Sequence, residues 1–225
     1  MRPIAFITLV FAPAIALGMY IYFSKRNDKA FSQLLMTSYL AGAAGITVLI
    51  LAEGISLMLG LNDLRSLKRI LFFSFITIGG SSELGKFIFF RYYIVPKNVL
   101  NKPIHGITFS IMVSLGFSTL ALILFMVNPF KVQELFPFTL YSFVIVPANM
   151  MFAVIMGFFV GMAKFMKTRF VFSLTGLLVT AIFHGIFNFC ILTSDFKLLS
   201  LFSFGFMVIV LTLGLKAAYS EGDPL

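Results

Sequence analysis

Residues 70–90 read ILFFSFITIGGSSELGKFIFF, an apolar run of the length that a helix needs to cross a bilayer. Two ionisable residues, Glu83 and Lys86, interrupt this run. They are three positions apart, so on a helix they share one face and can form an ion pair. Because a charge inside the bilayer is costly, an ionisable pair at this depth predicts a functional site. The alternative is a pair that neutralises itself and only helps helices to pack.

The composition of the whole chain is that of a polytopic membrane protein. Of its 225 residues, 60% are hydrophobic and 11% are charged, and the mean hydropathy is +1.05. A soluble chain of this length cannot bury several apolar runs of about 20 residues on all sides. The 17 Lys and Arg residues, which give a net charge of +9, are scattered between the apolar runs. They are typical of topology signals and do not form the basic stripe of a nucleic-acid-binding protein.

Seven apolar segments are predicted to be transmembrane helices of a single integral membrane domain over residues 1–225. A segment in the bilayer must satisfy its own backbone hydrogen bonds, and the longer runs greatly exceed the strand of a β-barrel. The predicted fold class is therefore all-α, a polytopic transmembrane bundle of about seven helices. Residues 194–196 lie at the junction of the last two segments, so six or seven crossings are expected. The segments cover residues 3–23, 34–60, 70–90, 106–128, 137–163, 170–194 and 197–216.

The distribution of basic residues predicts an amino terminus outside and a carboxyl terminus in the cytoplasm. With seven crossings, ten Lys and Arg residues fall on the predicted cytoplasmic side and six on the other, and Lys86 lies in the membrane. A cluster of three basic residues within 65–69 opposes this orientation. The ten are Lys25, Arg26, Lys29, Arg91, Lys97, Lys102, Lys164, Lys167, Arg169 and Lys216, and the six are Arg2, Arg65, Lys68, Arg69, Lys131 and Lys197.

Other polar residues within the apolar segments give weaker signals. His184 and Asn188 are four positions apart and share one helix face, although an interhelical hydrogen bond would explain them equally well. Asn149 follows Pro147, which loosens the backbone of a membrane helix. Glu53 lies near enough to the end of the second segment to be interfacial, so no chemistry is assigned to it.

Five short motifs occur along the chain in a fixed order. They are SELGKF at residues 82–87, PIHGI at 103–107, GFSTLA at 116–121, VPANMMFAVIMGFFVG at 146–161 and HGIFNF at 184–189. In this order they resemble the motifs of the PrsW family of intramembrane proteases. The corresponding family motifs are Glu-Glu-x-x-Lys-Phe, Asp-Gly-Ile, Gly-Phe-Ala-x-x-Glu-Asn, Pro-x-His with a following Gly-Tyr-x-x-Gly, and His-Gly-x-x-Asp-Phe. The resemblance covers nearly the whole chain.

The chain departs from the family pattern at several positions where the family carries ionisable groups. Glu83, Lys86 and His184 keep the ionisable character of their motifs. Two carboxylates of the family pattern are replaced by Ser82 and Ala121, a histidine by Asn149 and an aspartate by Asn188. Because removing one member of a cooperating catalytic set costs most of the rate, the alternative is a pseudoprotease. Such a protein would bind transmembrane helices as a scaffold or sequestering partner without cutting them.

The resemblance implies hydrolysis of a peptide bond in a membrane-anchored substrate, by a glutamic or a metal-assisted mechanism. In this scheme Glu83 is the general base and His184 is the proton donor or oxyanion partner. Asn149 or Asn188 polarises the carbonyl group, and Lys86 favours the charged form of Glu83. Ser82 completes the set of supporting residues.

No metal and no other cofactor is predicted. A catalytic zinc normally takes three protein ligands, and Glu83 and His184 supply only two. The expected partners are a single-pass transmembrane protein as substrate and the lipid bilayer, with no nucleic acid. The resemblance implies a bacterial inner membrane. If the site exists, Glu83, Asn149 and His184 should converge around one polar cavity.

Overall fold

The computed structural model describes residues 3–127 and 138–219, and in these two ranges the chain is helical with no strand. Four consecutive helical elements run without a break from residue 67 to residue 94, so the described residues form seven helical rods. This confirms the prediction of an all-α bundle of about seven helices. The elements are α1 (Pro3–Ser24), α2 (Lys29–Met58), α3 (Leu67–Phe72), π1 (Phe73–Gly80), α4 (Ser81–Phe89), π2 (Phe90–Ile94), α5 (Pro103–Val127), α6 (Phe138–Ala163), α7 (Arg169–Leu192) and α8 (Phe196–Tyr219).

Five of these helices are long and apolar enough to cross a membrane. Within α1, the range Leu9–Ser24 is also apolar. The segment ends predicted at residues 128 and 137, and two basic residues of the charge count, Arg2 and Lys131, lie outside the described residues. The five spans are Lys29–Met58, Pro103–Met126, Phe143–Ala163, Arg169–Leu192 and Phe196–Tyr219.

Polar side chains determine where several helices begin. The Asp28 carboxylate accepts a hydrogen bond from the backbone N–H of Phe31 at 2.8 Å, which caps α2 five residues before the predicted start of that segment. Asp195 accepts from the backbone N–H of Leu198 at 3.0 Å in the first turn of α8. Hydropathy alone places such starts too late, because capping residues are polar.

Helices α5 and α6 form the centre of the bundle, and α8 lies at its edge. About two thirds of the apolar span of α6 and a similar share of α5 is buried, whereas only Phe206 and Ala217 are buried on α8. Cys190 on α7 is a free, buried thiol. A helix whose exposed side chains are mostly apolar requires lipid around it, in agreement with a membrane location.

The helical rod from residue 67 to residue 94 differs from the regular helix expected for residues 70–90. Two stretches of wider turns, π1 and π2, flank α4, and in π2 the backbone N–H of Val95 bonds to the carbonyl of Phe90, five residues earlier, at 3.0 Å. Such wide turns are rare and occur frequently at functional sites. Here they place the short helix α4, which carries the ionisable pair, between α2 and α7.

Glycines allow the neighbours of α4 to approach closely. A Cβ atom on Gly45 of α2 would lie 3.0 Å from the backbone of Gly85 on α4, and one on Gly79 of π1 would lie 2.8 Å from the backbone N of Gly185 on α7. Small residues permit this backbone contact between membrane helices. The second contact is next to His184, so it brings that side chain close to α4.

Candidate active site

The two ionisable residues of α4 form a buried ion pair. The Lys86 Nζ atom lies 2.5 Å from Glu83 Oε1, and the two side chains are at most 2% exposed. This agrees with the spacing argument, which placed the two side chains on one helix face. A buried pair of this kind is stable only when additional hydrogen bonds satisfy both groups.

His184 contributes the second contact to the Glu83 carboxylate. Its Nδ1 atom lies 2.7 Å from the same Oε1 atom, and the residue is buried on α7. An ionised carboxylate only accepts hydrogen bonds, so Nδ1 carries the proton and, in the neutral ring, Nε2 is the acceptor. The imidazole stacks on the ring of Phe152 from α6, with 4.7 Å between ring centroids and 23° between planes. The stacking and the hydrogen bond together fix the orientation of the imidazole.

Asn149 joins the cluster from α6 through Lys86. The Lys86 ammonium donates to Asn149 Oδ1 at 3.1 Å, so the NH₂ group of the carboxamide points away from the ammonium. Ser114 on α5 donates to the backbone carbonyl of Asn149 at 2.8 Å and holds this part of α6. The centroid of the Phe117 ring, also on α5, lies 5.2 Å from Lys86 Nζ, within the range of a cation–π contact.

The second oxygen of the Glu83 carboxylate has no such contacts. Oε2 is buried and accepts no hydrogen bond from any described residue. Leaving a buried charged acceptor without a partner is costly. Oε2 is therefore the atom of the cluster that is available to a reactant.

The expected convergence of Glu83, Asn149 and His184 occurs, and the contact between the Lys86 ammonium and the Glu83 carboxylate lies at its centre. Ser82 and Asn188 are buried as well, yet the contacts that join the cluster do not involve their side chains. The Asn188 Nδ2 atom donates to the backbone carbonyl of His184, one turn earlier in its own helix, at 3.0 Å.

A cavity of about 60 Å³ lies next to Asn149 and brings in residues to which the sequence assigned no role. Glu53 from α2 and Ser118 from α5 line it, together with Ala121. The signal that singled out Glu83, an acidic residue inside an apolar run, is also present at Glu53. Because Glu53 lies close to the end of its apolar segment, its position in the sequence indicated an interfacial residue without a chemical role.

The donor set at the cluster does not fit a zinc site. Glu83 and His184 are its two metal-type donors, and the Lys86 ammonium already occupies the cation position beside the carboxylate. A catalytic zinc takes three protein ligands and an open position. Over the described ranges, no group of three or more His, Cys, Asp or Glu side chains is arranged to hold a metal.

Comparison with known proteins agrees with the motif order. Residues 30–214 match a family described as PrsW family intramembrane metalloprotease. No solved structure matches the chain significantly.

Individual relatives carry the name Protease PrsW. The protein from Shouchella clausii (strain KSM-K16) is 24% identical over 187 residues, which cover 83% of each chain. The protein from Bacillus subtilis (strain 168) is 27% identical over 187 residues, 82% of each chain, and that from Clostridioides difficile (strain 630) is 23% identical over 161 residues, 70% of this chain and 67% of the relative. The family match covers most of the chain and includes all five apolar helices in part or in full, so this integral membrane protein belongs to the PrsW family of intramembrane proteases.

Proposed function

We propose that the protein hydrolyses a peptide bond of a single-pass, membrane-anchored protein within or near the bilayer, with Glu83 as the general base. The observation that carries this proposal is the asymmetry of the Glu83 carboxylate. Its Oε1 atom is held by Lys86 and His184, and its Oε2 atom is left for a reactant. A carboxylate that served only to neutralise Lys86 would not need the additional contact from α7.

The chemical step begins with a water molecule hydrogen-bonded to Oε2. Glu83 takes a proton from this water as the oxygen attacks the carbonyl carbon of the substrate, and the proton then passes to the leaving amine as the C–N bond breaks. A base placed in this way contributes typically about 10²- to 10⁴-fold to the rate. The ionised form that this step requires is supported by the contact with the Lys86 ammonium.

The negative charge that develops on the carbonyl oxygen requires donors in a dry environment. The NH₂ group of Asn149, turned away from Lys86, is the candidate for this role, and the imidazole of His184 can join it only when Nε2 is protonated as well. Both side chains are 2% exposed, and electrostatic stabilisation is stronger at such depth than in water.

The relatives support the proposed peptide-bond hydrolysis, because each is named a protease. They also support a location in the bacterial plasma membrane, because each comes from a bacterium. The excess of basic residues on one side supports an amino terminus outside and a carboxyl terminus in the cytoplasm. The description of the family as metalloproteases does not extend to this mechanism, because the residues at the cluster do not make up a metal site.

The second candidate function is a pseudoprotease that binds transmembrane helices without cutting them. Two observations favour it. Ala121 offers only a methyl group to the cavity beside Asn149, and the Asn188 carboxamide bonds within its own helix. Both positions correspond to acidic residues in the family motifs.

A three-way comparison of released fragments separates the two functions. Membranes from cells expressing the unaltered chain, Glu83→Gln or His184→Ala are compared by quantitative proteomics at matched expression. We expect fragments of single-pass membrane proteins only with the unaltered chain. Identical fragment profiles in all three would overturn the proposal in favour of the pseudoprotease.

Asp63→Asn provides the matched control. It makes the same change from carboxylate to carboxamide at an exposed ion pair, with Arg69 at 3.0 Å, far from the cluster in the connection after α2. This variant should release the same fragments as the unaltered chain. A loss of fragments with Asp63→Asn as well would show that the Glu83→Gln result reflects general damage to the protein.

A further inference from the structure

The cavity beside Asn149 lies between α2, π1, α5 and α6. Its volume of about 60 Å³ has room for a few water molecules, since each needs roughly 10–15 Å³ of such a space. Three polar side chains line it, those of Glu53, Ser118 and Asn149, and the other lining residues are apolar. A cavity that holds water needs this combination of space and polar partners.

Ser118 gives independent evidence that the cavity suits a polar occupant. Its side chain is 1% exposed, and its Oγ atom has no hydrogen-bond partner among the described residues. A buried hydroxyl without a partner is costly. Because Ser118 lines the cavity, a water molecule there would provide the missing partner.

Glu53 lines the cavity close to one end of α2. It is partly buried and lies five residues before the end of α2 at Met58, which corresponds to about 7.5 Å along the helix axis. A long polar side chain at this depth can reach the interface. Glu53 is also the one acidic side chain among the described lining residues of the cavity.

Asn149 connects the cavity with the catalytic cluster. Its Oδ1 atom accepts from Lys86, which in turn contacts Glu83. Aromatic rings cover other sides of the cluster, where Phe152 stacks on His184 and Phe117 lies beside Lys86. The cavity thus has one polar lining residue near a helix end, Glu53, and another that contacts the cluster, Asn149.

We infer that this cavity supplies the water that the site consumes, with Glu53 at its entrance and Ser118 holding water beside Asn149. The inference rests on the proposed hydrolysis, which uses one water for each peptide bond. Glu53 and Ser118 are positioning residues, because they hold and admit the water from which Glu83 removes a proton.

Hydroxyl-radical footprinting by X-ray radiolysis tests the presence of this water directly, because radicals form from water and modify the side chains next to it. The full chain in liposomes is irradiated and the modification of each residue is measured by mass spectrometry. Two matched pairs on α5 serve as reporters. Phe125 and Leu122 line the cavity, and Phe109 and Leu115 lie in the core, all at most 5% exposed. We expect Phe125 and Leu122 to be modified severalfold faster than their partners, and equal rates would overturn the inference.

Variants of Ser118 and Glu53 separate a role in holding water from a role in packing. Ser118→Val and Ser118→Thr add the same bulk, but only the second keeps a hydroxyl group. We expect Ser118→Val and Glu53→Leu to lower the rate at which radicals modify Leu122. The same two variants should lower the cleavage rate by about tenfold to 100-fold. Ser118→Thr and Glu53→Asp should retain both. Equal effects of Ser118→Val and Ser118→Thr would contradict the assignment.

The footprint also distinguishes this inference from the proposed function. If the cavity is hydrated but no fragment is ever released, the proposed function fails and the water-supply role fails with it. If fragments are released while Leu122 and Phe125 are modified no faster than their partners, hydrolysis stands and only the inference about the cavity is wrong.

Discussion

His184 Nδ1 and Glu83 Oε1 lie 2.7 Å apart, although 101 positions separate the two residues in the chain. Because Lys86 contacts the same oxygen, the carboxylate is held from two helices and presents its other oxygen to the interior of the bundle. This arrangement combines a buried charge, a fixed imidazole and an available acceptor, which is what general-base catalysis on water requires.

Because Glu83 and Lys86 form a buried ion pair, neutralising one of them should lower the stability of the protein more than neutralising both. Lys86→Met leaves the buried Glu83 carboxylate without its cation, and breaking a buried pair in this way costs about 3–5 kcal/mol. Combining Lys86→Met with Glu83→Gln removes both charges, so most of the stability should return while cleavage stays absent. The measurement is the temperature at which the detergent-solubilised protein loses its monodisperse state. Equal losses for the single and double variants would show that the pair is not buried as described.

The close contact between Gly79 and Gly185 predicts a position-specific cost of adding a methyl group. Gly79→Ala places a Cβ atom 2.8 Å from the backbone of α7, and we expect a loss of about 1–3 kcal/mol. Cleavage should fall too, because α7 carries His184. Gly18→Ala is the matched control, since a Cβ atom at Gly18 meets nothing within 4 Å. Thermal stability and fragment release are measured for both, and comparable behaviour of the two variants would refute the tight helix contact.

The donor set predicts that cleavage does not need a metal. Lys86 holds the cation position beside Glu83, so treatment of purified protein with 1,10-phenanthroline or EDTA should leave the rate of fragment formation unchanged. A zinc protease cleaved in the same buffer serves as the positive control for chelation. Loss of cleavage that added Zn²⁺ restores would contradict the mechanism proposed for this chain.

Restoring the ionisable residues of the family motifs should increase the rate of cleavage. Ala121→Glu combined with Asn149→His and Ser82→Glu returns the ionisable groups of the family pattern. Because a positioned acid or base contributes about 10²- to 10⁴-fold, we expect cleavage to rise measurably above that of the unaltered chain. The control replaces Ala121→Glu with Ala121→Gln, which has similar size and no titratable group. A rise of the same size in the control would mean that the carboxylate at position 121 does not contribute to the gain.

Sequence patterns were sufficient to predict the helices and the contacts between side chains of the same helix. The apolar runs gave the seven rods, and the spacing of Glu83 and Lys86 gave their ion pair, because both depend on local periodicity. The capping side chain of Asp28 moved the start of α2 earlier than hydropathy indicated. The wider turns of π1 left no signal, because they change the backbone register without changing the apolar composition.

Contacts between helices were harder to predict. The order of the motifs suggested that His184 approaches Glu83, but nothing in the sequence indicated that Lys86 would bridge to Asn149. The role of Glu53 was missed for a related reason. Helix α2 carries apolar residues around its whole circumference, so periodicity does not reveal which face turns toward α5 and α6. The position of Glu53 on the cavity becomes visible only when the three helices are assembled.

The most direct test of the central claim uses isotope-labelled water. Purified protein is reconstituted in liposomes with a substrate identified from the released fragments, and cleavage proceeds in H₂¹⁸O. The account predicts one ¹⁸O atom in the new carboxyl terminus, and a rate for Glu83→Gln that is lower by about 100-fold or more. Cleavage by Glu83→Gln at the rate of the unaltered protein would contradict the assignment of Glu83 as the base.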